Sequence, residues 1–386
     1  MFTRDPKVLA SIADDQRLWE GIPSIEVTPG GRTFICFYGG GVKEQIGNYV
    51  TVLKSEDDVH FTTFAAIMPD EHHRCFDPCL WIDPLGRLWL TWSQYPDDAE
   101  YGVILTDPDA PEDKMKFSQE FFIGNNIMMN KPTVLKDGTW LFPLAVWKKD
   151  VFVVKPDDFD RVRGSFVYAT SEKDTLLDTS AEGSTPERTA GEAKLPVFVN
   201  LGHVDMPERH CDEHMVLEQQ DGSLTMFVRT LKGIGTATST DGGRTWQNET
   251  PHVIPGPNSR FHIRRLPSGR VLLINHYEFT GRNNLTAFLS EDDGKTFPYR
   301  LLLDERAQVS YPDAAISPEG VITITYDRER GAYMKTKEAA LAAAREILTA
   351  RITEEDILAG KLVSEGSWLK RVVHKLGEYN GPDLWS

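Results

Sequence analysis

The chain of 386 residues repeats one pattern six times: an apolar strand, a tight turn that contains glycine, and a second apolar strand. Two of the copies read CLWIDPLGRLWLTW (residues 79–92) and HIRRLPSGRVLLIN (residues 262–275). Glycine adopts the positive φ angles of hairpin turns at little energetic cost. The repeated turn glycines are Gly31, Gly86, Gly138, Gly222, Gly269 and Gly320.

Successive turn glycines are separated by 55, 52, 84, 47 and 51 residues. Units of about 50 residues with several short strands are typical of propeller blades, where radial packing buries both faces of each sheet. The sequence therefore predicts an all-β fold, a single six-bladed β-propeller of residues 1–386 with short C-terminal helices. The expected segments are blades near 20–68, 74–122, 127–170, 210–250, 258–303 and 309–355, a polar insertion at 172–200 and a tail at 356–386.

Two short helices are expected near the C-terminal end. Residues 337–345 are strong helix formers, and Thr353 is a suitable N-cap for a second helix. Residues 346–352 between the helices are expected to form the last, outermost strand of blade six.

Charge and composition limit the possible partners. The net charge is −16, which disfavours binding to nucleic acid and to anionic membranes. No apolar run is long enough to cross a membrane, and the N-terminus lacks the apolar segment of a secretory signal. We therefore expect a cytoplasmic protein. The four cysteines are too few for a disulfide scaffold, and Cys75 and Cys79 lack a second pair of ligands nearby, so no metal or other cofactor is expected.

A second repeat lies in the outer half of the predicted blades. It reads STDGGRTW from Ser239 and SEDDGKTF from Ser290, with a degenerate copy at residues 55–61. Ser and Asp side chains bond the backbone of such a turn, and the aromatic residue packs between strands. The motif resembles the Asp-box of sialidases and related propellers. We assign its residues to the scaffold.

The inner strands of a propeller converge on the central axis, so their first residues are candidates for a pocket. Counting back nine positions from each turn glycine gives a set with four ionisable or phenolic members: Ile22, Asp77, Met129, Glu213, Arg260 and Tyr311. Polar neighbours of this set are further candidates for substrate binding: Lys131, His214, His262 and Asp313.

Four residues, two of them in this set, resemble the sialidase active site. Tyr311, in SYPDAAISPEG, matches the nucleophile that opens the last blade, and Glu213, in EHMVLEQQDG, matches the glutamate that takes its proton. Arg229 and Arg282 match two of the three arginines that clamp the substrate carboxylate. A tyrosine with a free pKa of about 10 needs such a proton acceptor, and arginines bind carboxylates through two parallel hydrogen bonds.

The resemblance fails at the first clamping arginine. Gly21 stands at that position, and the acidic partner of the missing arginine corresponds to Asp327. Glu20 is therefore a candidate to hold a hydroxyl or amine of the substrate. The general acid of the family is an aspartate on an early loop. Here the candidates are Glu44 and Asp77, and a raised pKa is needed for either to donate a proton near neutral pH.

The resemblance implies an exo-glycosidase that cleaves a terminal sugar, other than an ordinary sialoside, from an oligosaccharide or glycoconjugate. Two alternatives stay open. A polysaccharide lyase would use Tyr311 and one of His203, His210, His214 and His262 to remove a proton next to a uronate carboxylate. A non-catalytic propeller would bind glycans without turnover.

Overall fold

The computed structural model of the protein describes residues 1–12, 17–125, 127–147, 164–175, 196–331 and 336–380. These residues form six antiparallel sheets, one for each copy of the sequence repeat. In every sheet the strand that opens the repeat is innermost, and the following strands pair in sequence order outward. The prediction of a six-bladed β-propeller is confirmed.

The first three copies of the repeat form blades one to three. Blade one contains β1 (Phe2–Thr3), β2 (Glu20–Val27), β3 (Thr33–Gly39), β4 (Tyr49–Ser55) and β5 (Thr62–Ile67). Blade two contains β6 (Arg74–Ile82), β7 (Leu88–Tyr95), β8 (Ala99–Leu105) and β9 (Phe121–Gly124). Blade three contains β10 (Thr133–Val134), β11 (Thr139–Val146), β12 (Gly164–Ser171) and β13 (Val199–Val204). The short β1 pairs with β5 and extends blade one outward.

The last three blades follow the same plan. Blade four contains β14 (Met215–Glu218), β15 (Leu224–Thr230), β16 (Gly233–Ser239) and β17 (Gln247–Pro255). Blade five contains β18 (His262–Arg265), β19 (Val271–His276), β20 (Leu285–Ser290) and β21 (Tyr299–Asp304). Blade six contains β22 (Val309–Ile316), β23 (Ile322–Arg328), β24 (Glu346–Ile352) and β25 (Trp368–Lys375).

The helices of the described residues are short. They are α1 (Pro6–Ser11), a 3₁₀ helix (Glu112–Lys114), α2 (Glu172–Thr175), α3 (Lys337–Ala342) and α4 (Glu354–Ala359). Both predicted C-terminal helices are present, and Thr353 caps α4 in a reciprocal capping box with Asp356. Within the described ranges, no helix combines the length and the apolar character needed to cross a membrane.

The six turn glycines define identical hairpins. All have φ between 78° and 90°, and each glycine N–H donates to the carbonyl three residues earlier, at 2.9–3.1 Å. A side chain at any of these positions would strain the backbone, because left-handed φ angles disfavour residues with a β-carbon. This repeated turn therefore explains the six-fold glycine pattern.

Two expectations about the outer strands are wrong. The fourth strand of blade three, β13, follows the polar insertion, so this insertion lies inside the blade rather than after it; residues 176–195 lie outside the described residues. The outermost strand of blade six is β25, in the predicted tail, whereas 346–352 is the third strand. Apart from Lys375 and Val372, which are exposed, the residues of β25 are half-buried, so its sequence lacks the apolar run that identified the inner strands.

The turns that begin at Ser239 and Ser290 join the third and fourth strands of blades four and five. In blade four, Gly243 N–H donates to Oγ of Ser239 at 3.0 Å, and Thr245 N–H donates to Oδ1 of Asp241 at 2.9 Å. Ser290 and Asp292 make the corresponding bonds in blade five. These polar side chains are therefore used within the turn.

Candidate active site

Three inner strands open with a bulge immediately before a proline. Ile22, Asp77 and Tyr311 have φ of 58°, 47° and 55°, and the pairing of β2, β6 and β22 with the next strand shifts register at these points. A left-handed non-glycine residue stores roughly 1–3 kcal/mol of strain, and bulges change the direction of a side chain. All three side chains line one cavity.

The cavity lies where the first residues of the inner strands meet, and it encloses about 350 Å³. This volume falls within the range of roughly 300–1,000 Å³ that is common for small-molecule sites. Of the described residues, those that line it are Ile22, Tyr38, Glu44, Arg74, Phe76, Asp77, Met129, Trp147, His210, Cys211, Glu213, Arg229, Asn258, Arg282, Tyr311 and Arg330.

Tyr311, Glu213 and Arg229 form a buried triangle at the centre of this lining. The Tyr311 hydroxyl donates to Oε1 of Glu213 at 3.2 Å. Arg229 Nη1 donates to the same carboxylate oxygen and, at 3.2 Å, to the Tyr311 hydroxyl. The second oxygen of Glu213 is buried without a hydrogen-bond partner among the described residues. The phenol therefore has a proton acceptor in place.

Two further arginines lie over the Tyr311 ring. The Cζ atoms of Arg282 and Arg330 are 5.2 Å and 4.6 Å from the ring centroid, a cation–π arrangement. Asn258 holds the first of them and also Arg229, since its backbone carbonyl accepts from Nη2 of both. Burial raises the pKa of Tyr311, and so does the charge of Glu213, whereas the three arginines act in the opposite direction.

Arg330 fills the space left open by Gly21. A β-carbon built on Gly21 would lie 2.2 Å from Cδ and 2.5 Å from Cγ of Arg330. Nε of Arg330 is 3.6 Å from Oδ2 of Asp327, which also accepts from the N–H of Ile22 at 2.8 Å. The missing arginine of blade one is thus replaced in space by an arginine that extends from the end of β23, and Asp327 is its partner.

Asp77 is a buried carboxyl group of the cavity lining, and its pKa is raised. Burial, followed by the charges of Glu44 and Glu213, raises the pKa of Asp77 to about 8. The arginines Arg74 and Arg260 oppose this shift. This direction favours the protonated form of Asp77, which a general acid requires.

Glu44, the other candidate acid, enters the cavity from the loop between β3 and β4. Its carboxylate lies between two guanidinium groups, 3.8 Å from Nη1 of Arg74 and 3.9 Å from Nη1 of Arg330. Among the described residues, the lining contains four arginines against three carboxyl groups, and the raised pKa of Asp77 favours its neutral form. An excess of positive charge inside a protein of net charge −16 favours an anionic ligand.

A family model described as a BNR repeat-like domain matches residues 31–324, most of the chain. The chain belongs to the BNR repeat-like family. A search of curated proteins gave no significant match.

Solved structures with the same fold include sialidases. The Hadza microbial sialidase Hz136 superposes with a TM-score of 0.58 at 18% identity, over 81% of this chain and 64% of the sialidase. A Dyadobacter fermentans protein of unknown function gives 0.57 at 17%, over 81% and 91%. The leech intramolecular trans-sialidase, solved with 2,7-anhydro-Neu5Ac, gives 0.59 at 12%, over 90% and 70%. The chain thus covers less than two thirds of the microbial sialidase, and identities this low establish the propeller fold alone.

Four predicted substrate-binding residues of this BNR repeat-like protein lie beneath the cavity rather than in its lining. Lys131, Arg260, His262 and Asp313 are fully buried around the axis. Lys131 Nζ donates to the carbonyls of Ile25 and Leu80 and pairs with Asp313 at 3.1 Å. The expectation that these four residues contact substrate is corrected. Lys131, His262 and Asp313, two positions beyond the register of the lining, form a second axial layer that joins the blades.

Arg260 stands nine positions before its turn glycine, as Asp77, Glu213 and Tyr311 do, but its side chain does not line the cavity. It donates to the carbonyls of Pro23 and Met129 and to Oδ1 of Asn130, so it bridges blades one, three and five. His262 has a pKa lowered by burial and lies 3.2 Å from Asp313.

Three other predicted binding residues also lie outside the lining. His214 is buried, donates to the carbonyl of Phe166 at 2.7 Å, and has a pKa lowered by burial to about 4. Glu20 faces the C-terminal strand, where Oε1 lies 2.9 Å from Nδ1 of His374. Asp327 is buried behind Arg330. Neighbouring positions in a strand point to opposite faces, which explains why His214, next to the lining residue Glu213, turns away.

Sequence reasoning missed several lining residues. Arg74 lies three positions before the predicted lining residue Asp77, and Trp147 follows β11. His210, named from the sequence only as a candidate base of a lyase, also lines the cavity. Asn258 lies two positions before Arg260. The strand-opening prolines after Ile22, Asp77 and Tyr311 were an available signal for the bulges. No sequence motif marks Arg330. The only signal for it was the absence of an arginine at position 21.

Proposed function

We propose that this protein is an exo-glycosidase that cleaves a terminal, carboxylate-bearing sugar from an oligosaccharide or glycoconjugate. The proposal is carried by one observation: the Tyr311 hydroxyl donates to Glu213, with Arg229 bonded to both groups and Arg282 and Arg330 over the ring. The sialidases that share the fold support the same class of substrate.

In the first step, Oη of Tyr311 attacks the anomeric carbon while Glu213 accepts the phenolic proton. The bond from that carbon to the leaving oxygen breaks, and Asp77 protonates this oxygen. A covalent glycosyl-tyrosine is formed and the alcohol leaves. Tyrosine suits an acidic sugar, because the neutral phenol avoids repulsion with the carboxylate.

In the second step, water attacks the anomeric carbon of the glycosyl-tyrosine. Asp77 takes a proton from this water, and Glu213 returns its proton to the departing phenolate. Two displacements at one carbon retain the anomeric configuration. The free sugar and the original protonation states are restored.

The arginines bind the carboxylate of the sugar. Nη2 of Arg282 donates to the backbone carbonyl of Asn258. Nη1 of Arg330 is buried without a hydrogen-bond partner among the described residues. Each of the two arginines therefore retains N–H donors for a ligand. Desolvated guanidinium–carboxylate bonds are among the stronger polar contacts. We expect these two residues to contribute the larger share of the discrimination against neutral sugars.

The test is a panel of aryl glycosides of N-acetylneuraminic acid, glucuronic acid and a neutral deoxysugar. We expect release of the aryl alcohol from an acidic member, and its loss in Tyr311→Phe. Turnover of the neutral member alone would contradict the proposed substrate class. An unsaturated product that absorbs in the near ultraviolet would indicate a lyase, for which His210 and Tyr311 share the cavity lining. Binding without turnover would indicate a glycan-binding propeller.

A further inference from the structure

The loop that carries Glu44 is fixed at its base. Asn48 Nδ2 donates to the carbonyls of Gly40 and Lys43, at 2.6 Å and 3.1 Å. Gly47 N–H donates to the carbonyl of His73 in blade two at 2.9 Å. The backbone around Glu44 is therefore held between two blades, while its side chain, 27% exposed, retains rotatable bonds.

The carboxylate of Glu44 presents one oxygen to each of two arginines. Oε2 faces Arg74 at 3.8 Å and Oε1 faces Arg330 at 3.9 Å. Hydrogen bonds of this type span about 2.7–3.2 Å, so both contacts are ion pairs without a hydrogen bond. Together with Asp327, Glu44 thus balances the charge of Arg330 without using its Nη1 donor.

We propose that Glu44 is a specificity residue, an internal carboxylate that occupies Arg330 until the carboxylate of the substrate replaces it. The inference rests on the proposed function, since it requires an anionic substrate. Arg74 faces the other oxygen of Glu44 and keeps this side chain paired after the exchange. The displaced carboxylate therefore does not remain as an uncompensated charge in the cavity.

This competition makes the site selective. Every anion that approaches Arg330 meets the negative charge of Glu44, which weakens its binding. A carboxylate that contacts both Arg330 and Arg282 recovers this lost binding free energy through the second guanidinium. An anion that contacts Arg330 alone does not recover it. Specificity of this kind comes from a repulsive element that rejects the wrong ligand.

The test is binding of benzoate, a bare carboxylate, measured by calorimetry so that turnover is not needed. Glu44→Gln keeps the size of the side chain and removes its charge. We expect the dissociation constant for benzoate to fall roughly tenfold, the effect of removing one like charge at short range. The matched control is Glu71→Gln, whose side chain is 85% exposed outside the cavity, and it should bind as the wild type does.

A second variant separates the role of Arg74. In Arg74→Met, Glu44 loses its alternative partner, so benzoate should bind several-fold more weakly than to the wild type. Adding Glu44→Gln to this variant should restore the affinity of the Glu44→Gln protein, since the two effects are coupled. Melting temperatures establish that each variant is folded.

The outcomes distinguish this inference from the proposed function. Equal or weaker binding of benzoate by a folded Glu44→Gln protein would overturn the competition while leaving the anion site intact. If Arg330→Ala binds benzoate as tightly as the wild type, the anion site itself is absent, and both the inference and the proposed substrate class fail.

Discussion

Arg330, in the last blade, fills a space left open by Gly21, in the first blade. The guanidinium belongs to the last blade, and the space it fills belongs to the first, where a β-carbon on Gly21 would overlap its Cδ and Cγ atoms. The backbone carbonyl of Arg330 also accepts from the N–H of Glu20 at 3.3 Å. Arg330 therefore lies at the contact where the first and last blades close the ring.

We expect Arg330→Ala to raise KM for an acidic aryl glycoside by roughly 10–100-fold, the effect of losing one or two hydrogen bonds to a charged group. Arg330→Lys should recover little of this, because an ammonium group lacks the planar pair of donors. Arg328→Ala is the matched control, since its side chain pairs with Glu346 and Glu329 outside the cavity. Steady-state kinetics check the prediction, and an unchanged KM in Arg330→Ala would contradict it.

Substitution at Gly21 tests the same relationship from the other side. Gly21→Ala requires Arg330 to move, so its KM should rise in the direction seen for Arg330→Ala. If Gly21→Ala has wild-type KM, Arg330 does not depend on the open space.

Tyr311→Phe and Glu213→Gln should each lower kcat by at least ~100-fold, because one removes the nucleophile and the other its proton acceptor. The double variant should lose little more than either single variant, since the two residues act as a unit. Tyr101→Phe, on β8 outside the cavity, is the control for the loss of a phenol. Full turnover in either single variant, measured with an activated aryl glycoside, would exclude the assigned role.

The sequence predicted the parts of this protein that are set by local chemistry. The six turn glycines need positive φ angles, which few other residues tolerate, so the hairpins and the blade count could be identified. Tyr311, Glu213, Asp77, Arg229, Arg282 and Glu44 were all placed in one site, and all of them line the cavity. Register relative to the turn glycines placed Asp77, Glu213 and Tyr311, and the resemblance to sialidases placed Arg229, Arg282 and Glu44.

The sequence failed where position depends on the backbone path. A bulge turns the side chains of Asp77 and Tyr311 into the cavity. These bulges were not predicted from the sequence, and proximity to the register set placed Lys131, His262 and Asp313 in the cavity as well. These three lie one layer deeper. Arg330 was missed because its place is determined by contact between the first and last blades, 309 positions apart along the chain, which no local pattern encodes.

Lys131 connects four blades beneath the cavity, so its removal should destabilise the whole ring. It donates to carbonyls in blades one and two and pairs with Glu26 and Asp313. Lys131→Met leaves a buried carboxylate without its partner, which typically costs about 3–5 kcal/mol of unfolding free energy. Denaturant unfolding measures this, with the exposed Lys136→Met expected within about 0.5 kcal/mol of the wild type. A Lys131→Met protein of wild-type stability would show that the axial layer is dispensable.

Asp77 should make both activity and stability fall as pH rises. As a proton donor with a pKa of about 8, it should give a kcat/KM that falls as pH rises through that value. Its pKa in the folded protein lies above the unfolded value near 3.8, so the folded state binds the extra proton and stability also falls as pH rises between about 4 and 8.

Asp77→Asn removes both effects. We expect kcat for a poor leaving group to drop by roughly 10²–10⁴-fold, the usual contribution of a general acid. The same variant should melt at a higher temperature than the wild type at pH 8–9 and at a similar temperature near pH 4, because the amide avoids a buried charge that forms only at high pH. Asp98→Asn, outside the cavity lining, serves as the control. An alkaline limit that persists in Asp77→Asn, together with an unchanged melting profile, would assign the proton donor to another residue.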